Sequence, residues 1–336
     1  MKQISPASFA LLGTLFFGAM ASAQQGVVKV DGSSTVAPIS EAMAEEFQNA
    51  HEGMKVTVGT SGTGGGFKKF VRGEIDISDA SRPITKAEME ECTKRGIEYI
   101  ELPVAFDALT VVINKQNTWA ASMTTDELKK LWEPAAQGKI TRWNQIRPEW
   151  PDAEIRLFGA GTDSGTFEYF TEAVVGKAKS SRGDYTASED DNTLVKGVEG
   201  SKYALGYFGM AYYEAHKSKL QVVKVDWIKD GKSQTGGAIE PSAANVIGAK
   251  YNPLSRPLFI YVNRRSAETK PEVKALVDFY LKNAKTLVSE VKYVPLPDAT
   301  YEAVSSRWAK LQTGTVFGGS HAVGISLADV LKKESK

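Results

Sequence analysis

Beyond an apolar N-terminal stretch, the chain alternates short apolar runs with segments of helical spacing. Residues 27–30 form a β-branched run. Ile39, Met43 and Phe47 recur every four residues within 37–49 and predict a helix with one buried stripe. Residues 55–58 read as a strand, 67–72 as a short helix and 74–78 as another strand. A helix over 85–95 is stopped by Gly96. Alternation of this kind predicts α/β architecture with mainly parallel strands. Two runs are longer and more apolar: DALTVVIN (107–114) and PLFIYVN (257–263). They bracket a segment containing Trp119, Trp132, Trp143 and Trp150, which reads as packing rather than as ligand platforms. The two runs are read as strands crossing between lobes. One lobe is then discontinuous, 26–108 with 260–336, and the other is 112–255.

The N-terminal stretch has the layout of an export signal. Lys2 precedes an apolar core at 9–20, and Ala21-Ser22-Ala23 is a small-x-small cleavage pattern followed by Gln24-Gln25. The core is short for a bilayer whose hydrocarbon is roughly 30 Å thick. No cysteine follows it, so a lipoprotein anchor is not expected. A signal peptide at 1–23, cleaved after Ala23, predicts a periplasmic location. The chain of 336 residues has 42% apolar and 24% charged residues, ordinary globular values that exclude extensive disorder. A net charge of +1 argues against nucleic acid as a partner. The single cysteine, Cys92, precludes an internal disulfide and has no histidine partner in sequence. His51, His216 and His321 are widely separated, and no cluster has metal-ligand spacing, so neither a metal nor a cofactor is expected.

Candidate chemistry lies in three loops rich in glycine and hydroxyl residues, each between an apolar run and a helical pattern. They are Asp31-Gly32-Ser33-Ser34-Thr35, the run 59–66 (GTSGTGGG), and 159–166 (GAGTDSGT), which leads into Phe167-Glu168-Tyr169-Phe170. Helix N-termini present unbonded N–H groups and a partial positive charge. Small residues let a ligand approach that backbone, so such loops suit an anion. A single loop of this kind is equally an ordinary helix cap; three in one chain favour a shared site. None is a P-loop, because no Gly-Lys-Ser/Thr follows, and none is a Gly-x-Ser-x-Gly elbow. A fourth segment, 76–84 (DISDASRPI), places Arg82 at the carboxyl end of a strand, where α/β sheets hold ligands. Arg82 is either a ligand there or half of an ion pair with Asp79. Asp107 is either a second contact for Arg82 or a solvated strand end. Asp190-Asp191-Asn192 reads as a helix cap.

In this order, GSSTVAP (32–38), GTSGTGGGF (59–67), DISDASRPI (76–84), DALTVVIN (107–114), GKITRWNQI (138–146), GTDSGTFEYF (161–170) and ALGYFGMAYY (204–213) resemble the PstS-type periplasmic phosphate-binding proteins of ABC importers. The resemblance covers nearly the whole chain beyond the leader. It implies a two-lobed type II periplasmic binding fold, each lobe a mixed sheet flanked by helices. It also implies one dehydrated phosphate held between the lobes and delivered to a membrane permease. Carried over by position, it assigns phosphate binding to Ser34 and Thr35, to Ser61, Gly62 or Thr63, and to Ser164, Gly165 and Thr166.

Two departures stand out. Ser81-Arg82 stands where the better-known branch has an aspartate, and Ala160 where it has an arginine. The charged pair is therefore expected to have exchanged lobes. Arg82 would offer a fork to the anion, and Asp163 would accept a hydrogen bond from protonated phosphate. Alternatively, Asp163 simply caps the next helix. A buried acceptor favours phosphate over sulfate, which carries no proton at neutral pH. The chain is read as a non-catalytic monomer. The rivals are an extracellular phosphatase or phosphoesterase using Ser34, Ser61 or Ser164, and a binder or sensor of another oxyanion. No histidine or lysine base can be assigned to those serines.

Overall fold

A computed structural model describes residues 26–162, 164–188 and 190–318, together with Leu327. The leader and Asp163 lie outside the described residues, as does His321. The chain opens with β1 (Val27–Gly32), α1 (Ala37–Ala50), β2 (Lys55–Gly59), α2 (Thr63–Phe70), β3 (Ile77–Ala80) and α3 (Lys86–Arg95). β1 pairs in parallel with β2 on one side and β3 on the other. The predicted stripe of α1 faces inward, with Ile39, Met43 and Phe47 fully buried. Burial of each such side chain is worth about 1.5–3 kcal/mol.

Two local expectations shift. α2 begins at Thr63 rather than at 67, so three glycines lie inside its first turns. Glycine is a poor helix former, yet a Cβ on Gly66 would lie 2.6 Å from the Gly32 Cα and 2.8 Å from Ser78 Oγ. The bare backbone is what lets α2 press onto β1, and packing overrides propensity. β3 occupies Ile77–Ala80 rather than 74–78, because it is held in register by β1 (Val30 beside Ile77) and by an antiparallel strand on its other edge (Phe259 beside Ala80). α3 matches its prediction. A Thr85/Glu88 capping box starts it, and Gly96 at φ 66° ends it.

β4 (Tyr99–Asn114) is buried along its whole length. The middle of the chain then supplies β5 (Ser122–Thr124), α4 (Thr125–Trp132), β6 (Arg156–Ala160), α5 (Gly165–Phe170), β7 (Thr186–Ser188), α6 (Asp191–Glu199), β8 (Ala204–Gly209) and α7 (Met210–His216). β9 (Leu220–Val222), β10 (Lys224–Asp226), a hairpin of β11 (Ile228–Lys229) and β12 (Lys232–Ser233), and α8 (Ala243–Ile247) complete it. The return leg is β13 (Ser255–Asn263), α9 (Arg264–Thr269), α10 (Pro271–Glu290), β14 (Val294–Pro295) and α11 (Asp298–Ala309).

The main sheet runs β2-β1-β3-β13-β4-β8-β6-β7. β4 joins its halves. Residues 99–108 pair antiparallel with β13, and residues 109–113 pair antiparallel with β8. The chain returns beside this crossing, where the Leu109 amide donates to the Leu254 carbonyl at 2.9 Å just before β13 begins. Both crossings are thus adjacent, at Ala108–Leu109 and Leu254–Ser255, as in a two-lobed fold.

The tryptophans pack, as read from the sequence. Trp132 and Trp143 are fully buried. Trp132 meets Phe170, Tyr185 and Tyr207 edge-on, while Phe170 stacks on Tyr207 at 3.7 Å. His51 and His216 each contact the carbonyl one turn earlier, of Phe47 and Tyr212. Cys92 is buried, and burial pushes its thiol up to about 11, which makes it inert.

Candidate functional site

The three loops converge beside this crossing. The first and third touch: a Cβ on Gly165 would lie 2.3 Å from Thr35 Oγ1 and 2.9 Å from Ser34 Oγ. Only glycine permits this approach. On one flank of the contact is a cavity of about 210 Å³ lined by Ser33–Thr35, Gly62–Gly64, Ser81, Arg82, Gly165, Glu168, Glu172 and Arg256. On the other flank, a cavity of about 310 Å³ is lined by Ser34, Thr35, Asp107, Ser164–Thr166, Asp191, Lys292 and Tyr293, among others. α2, whose start reaches the smaller cavity through Gly62–Gly64, has no side-chain cap. By contrast α3, α4 and α6 are capped by Thr85, Thr124 and Asp190. Uncapped first-turn N–H groups facing a cavity are donors for an anion.

Two arginines supply full charge. Arg82, at the end of β3, makes a forked pair with Glu88, with Nη1 and Nη2 each 2.9 Å from a carboxylate oxygen. Its Nη1 also donates to the Pro83 carbonyl, and its head lies 5.6 Å from the Phe67 ring centre. Burial pushes Glu88 up, but the bonds from Arg82 and Thr85 outweigh it and hold the carboxyl below its ordinary value. Arg256, at the start of β13, is the deeper of the two. Its guanidinium lies 3.6 Å from the Tyr169 ring centre, a close cation–π contact. Nη2 is 3.2 Å from Thr35 Oγ1 and 3.4 Å from Asp107 Oδ2, and Nε faces the same Asp107 oxygen at 3.4 Å without making a hydrogen bond. Arg256 lies opposite Asp107 in the β4–β13 register. Burial pushes Asp107 up despite this neighbour, as expected for a pair held at 3.4 Å rather than in a tight fork.

Two further carboxyls position the loops. Asp31 accepts from the Ser61 amide at 3.0 Å, from Ser61 Oγ at 2.6 Å and from Lys69 at 2.5 Å. Burial would raise this carboxyl, but these partners hold it below its ordinary value. Asp31 thereby ties the second loop to the end of β1. Asp79 lies beneath the first loop, its carbonyl accepting from the Ser33 amide at 2.9 Å. Its side chain accepts from Ser40 at 3.0 Å, and its other oxygen has no partner. Burial, against the Ser40 bond, pushes Asp79 up to about 8, so at neutral pH it adds little negative charge under the loop.

Ser34, Thr35, Gly62, Thr63, Arg82 and Gly165 come together around the smaller cavity. Ser61 does not; its hydroxyl is spent on Asp31. Ser164 and Thr166 line the opposite flank, with Ser164 Oγ capping α5 through the Thr166 amide. Thr63 Oγ1 is 3.1 Å from Ser81 Oγ. Two pairings differ from expectation. Arg82 pairs with Glu88, not Asp79, because the α3 capping box brings Glu88 back to the end of β3. Asp107 faces Arg256, not Arg82, because β13 lies between β3 and β4. Asp190 caps α6 as expected, and Asp191 rims the larger cavity.

Arg256 was the missed residue. A signal existed: each long apolar run has one charge at the end, Asp107 in one and Arg256 in the other, and antiparallel pairing sets them face to face.

A two-lobed α/β frame with an uncapped helix start and two arginines on one cavity defines a ligand-binding protein of the periplasmic type. The family model described as a PBP superfamily domain matches residues 19–284. Protein SphX of Synechococcus elongatus is 51% identical over 325 residues, 97% of this chain and 94% of that protein. The phosphate-binding protein PstS of Staphylococcus saprophyticus is 36% identical over 285 residues, 84% of each chain. A solved structure of a possible phosphate binding protein from Planctomyces limnophilus aligns at a TM-score of 0.78 and 50% identity, covering 86% of this chain and 99% of that one. The chain belongs to the PBP superfamily and, within it, to the PstS-type phosphate-binding proteins.

Proposed function

We propose that this chain captures inorganic phosphate between lobes 26–108 with 260–336 and 112–255, and passes it unchanged to the membrane permease of an ABC importer. The observation that carries the reading is Arg256. It is a nearly buried guanidinium held only loosely by Asp107, at 3.4 Å, and set beside Thr35 on a cavity that the uncapped start of α2 also lines. A buried charge paired this loosely is costly, and an oxyanion in the cavity supplies a further partner. The relatives' names, phosphate-binding in each PstS match, support the same ligand. The leader at 1–23, with its small-x-small end, supports export to the periplasm, where the chain acts as a monomer. Ser34, Thr35, Gly62, Thr63, Gly165 and both arginines contact the anion in this reading, with Ser164 and Thr166 approaching from the opposite lobe.

Selectivity follows from the carboxylates. Glu168 and Glu172 line the cavity, and Asp163 directly precedes Ser164. An acceptor facing the anion favours protonated phosphate and repels sulfate. Binding without turnover is supported by the serines themselves. Ser61 is held by Asp31 and Ser164 by its cap, with no histidine among the residues lining either cavity. Calorimetric titration of ligand-stripped protein with phosphate and then sulfate near pH 7 tests the reading. Tight phosphate and weak sulfate binding are expected, with sulfate gained by Asp163→Asn. Sulfate binding as tight as phosphate binding overturns it.

A further inference from the structure

The anion cavity is open at one end. Ser81, Arg82, Glu172 and Arg256 line both it and a second chamber of about 340 Å³, whose remaining walls are Pro83, Tyr169, Ala173, Trp227, Lys229, Pro253 and Pro257. This annex differs in character from the chamber it adjoins. Beyond the shared rim its walls are an indole, a phenol ring, three prolines and an alanine, and Lys229 is their one cation. Such walls give a bare oxyanion almost nothing to bind. They suit a flat or apolar body, the usual composition of a small-molecule pocket.

The walls are also held in place. Trp227 sits between β10, which pairs with β5, and the β11–β12 hairpin. Its amide donates to Thr235 Oγ1 at 3.4 Å, and its carbonyl accepts from the Gln234 amide at 2.8 Å. Thr125 anchors the hairpin by accepting from the Ile228 amide at 2.9 Å. Tyr169 is fixed at both ends, its hydroxyl donating to the Pro253 carbonyl at 2.7 Å and its ring under the Arg256 guanidinium. Arg256 and Arg82 therefore stand at the junction, where a phosphorus atom could keep its oxygens in the small chamber and direct its fourth substituent into the annex.

We propose that the cleft binds organic phosphonates and phosphate monoesters with a compact aromatic or apolar body, in addition to bare phosphate. The phosphoryl oxygens occupy the anion cavity, and the body lies against Trp227. This inference rests on the anion reading of the previous subsection and extends it to a second ligand class.

The test uses phenylphosphonate, whose P–C bond excludes hydrolysis as a complication, with methylphosphonate as the control lacking a body. Stripped protein is titrated with phosphate, methylphosphonate and phenylphosphonate, alone and in competition. Phenylphosphonate is expected to displace phosphate and to bind at least tenfold tighter than methylphosphonate. Trp227→Ala is expected to lose at least tenfold for phenylphosphonate while changing phosphate less than twofold, and Trp227→Phe to recover most of the loss. A thermal melt of each variant establishes folding, and the phosphate titration reports an intact anion site. Phenylphosphonate binding no better than methylphosphonate, or unchanged by Trp227→Ala, overturns the annex while leaving the phosphate reading standing. Failure of phosphate itself to bind overturns both.

Discussion

Arg82–Glu88 and Arg256–Asp107 are two arginine–carboxylate pairs whose arginines line one cavity, and they are held differently. In the first, both arms of the fork meet the carboxylate at 2.9 Å, the arginine side chain is 30% exposed, and the partner belongs to the next helix. In the second, the arginine side chain is 9% exposed, and Nε faces the carboxylate at 3.4 Å without forming a hydrogen bond. A satisfied, solvated pair is chiefly a local pin, since such pairs contribute roughly 0–1 kcal/mol. A loosely paired buried arginine keeps binding capacity, because its charge gains a close partner only when a ligand arrives. Both arginines thus face the cavity, but one is firmly braced by its carboxylate and the other loosely held, according to burial and geometry.

The sharpest way to break the comparison is to remove the buried arginine. Arg256→Leu is expected to lower stability by about 3–5 kcal/mol in urea unfolding, because Asp107 is left buried without a counter-charge. Phosphate binding should be lost as well. Adding Asp107→Asn should recover most of the stability but not the binding. Recovery of both would reduce Arg256 to a structural role.

Asp79 extends the contrast to a buried carboxyl with no cation. Its folded-state value, about 8, lies above the ordinary value of 3.8, so folding favours the protonated form. That contribution is complete below about 3.8 and is lost as pH rises through about 8. Between those limits the slope approaches at most about 1.4 kcal/mol per pH unit. Asp79→Asn should remove this component, so its stability relative to the parent should rise across that window. A difference that is flat with pH would show that Asp79 is ionised in the folded protein.

A smaller effect is expected where the lobes meet. Gly165→Ala places a methyl 2.3 Å from Thr35 Oγ1 and forces the first and third loops apart. Calorimetry should show phosphate affinity reduced about tenfold, equivalent to roughly 1.4 kcal/mol, with the melting temperature little changed. Smallest is the brace itself. Glu88→Gln should cost about 0–1 kcal/mol and alter phosphate affinity far less than Arg256→Leu. An equal loss of affinity would erase the distinction between the two arginines.

Much of the fold was legible because it rests on short-range regularities. The stripe Ile39, Met43, Phe47 fixed the buried face of α1, and Thr85, Glu88 and Gly96 marked both ends of α3. α2 was placed four residues late, because its leading glycines read as loop by propensity. Their reason for being helical is contact with Gly32 and Ser78 on other strands.

The sequence by itself determined where anion-binding loops could form: small and hydroxyl residues at strand-to-helix junctions, a property of a few adjacent positions. It also determined the two-lobed class, through the alternation of elements and the two long apolar runs. Only the tertiary structure decided which of these groups share a cavity. Arg256 reaches Thr35 across 221 positions and Asp107 across 149. Ser61, adjacent to the binding residues in sequence, turns instead to Asp31. The physical reason is that backbone preferences are set locally, whereas the partners of a buried charge are set by strand order. The insertion of β13 between β3 and β4 brings a distant arginine to the crossing, and no local pattern encodes that insertion.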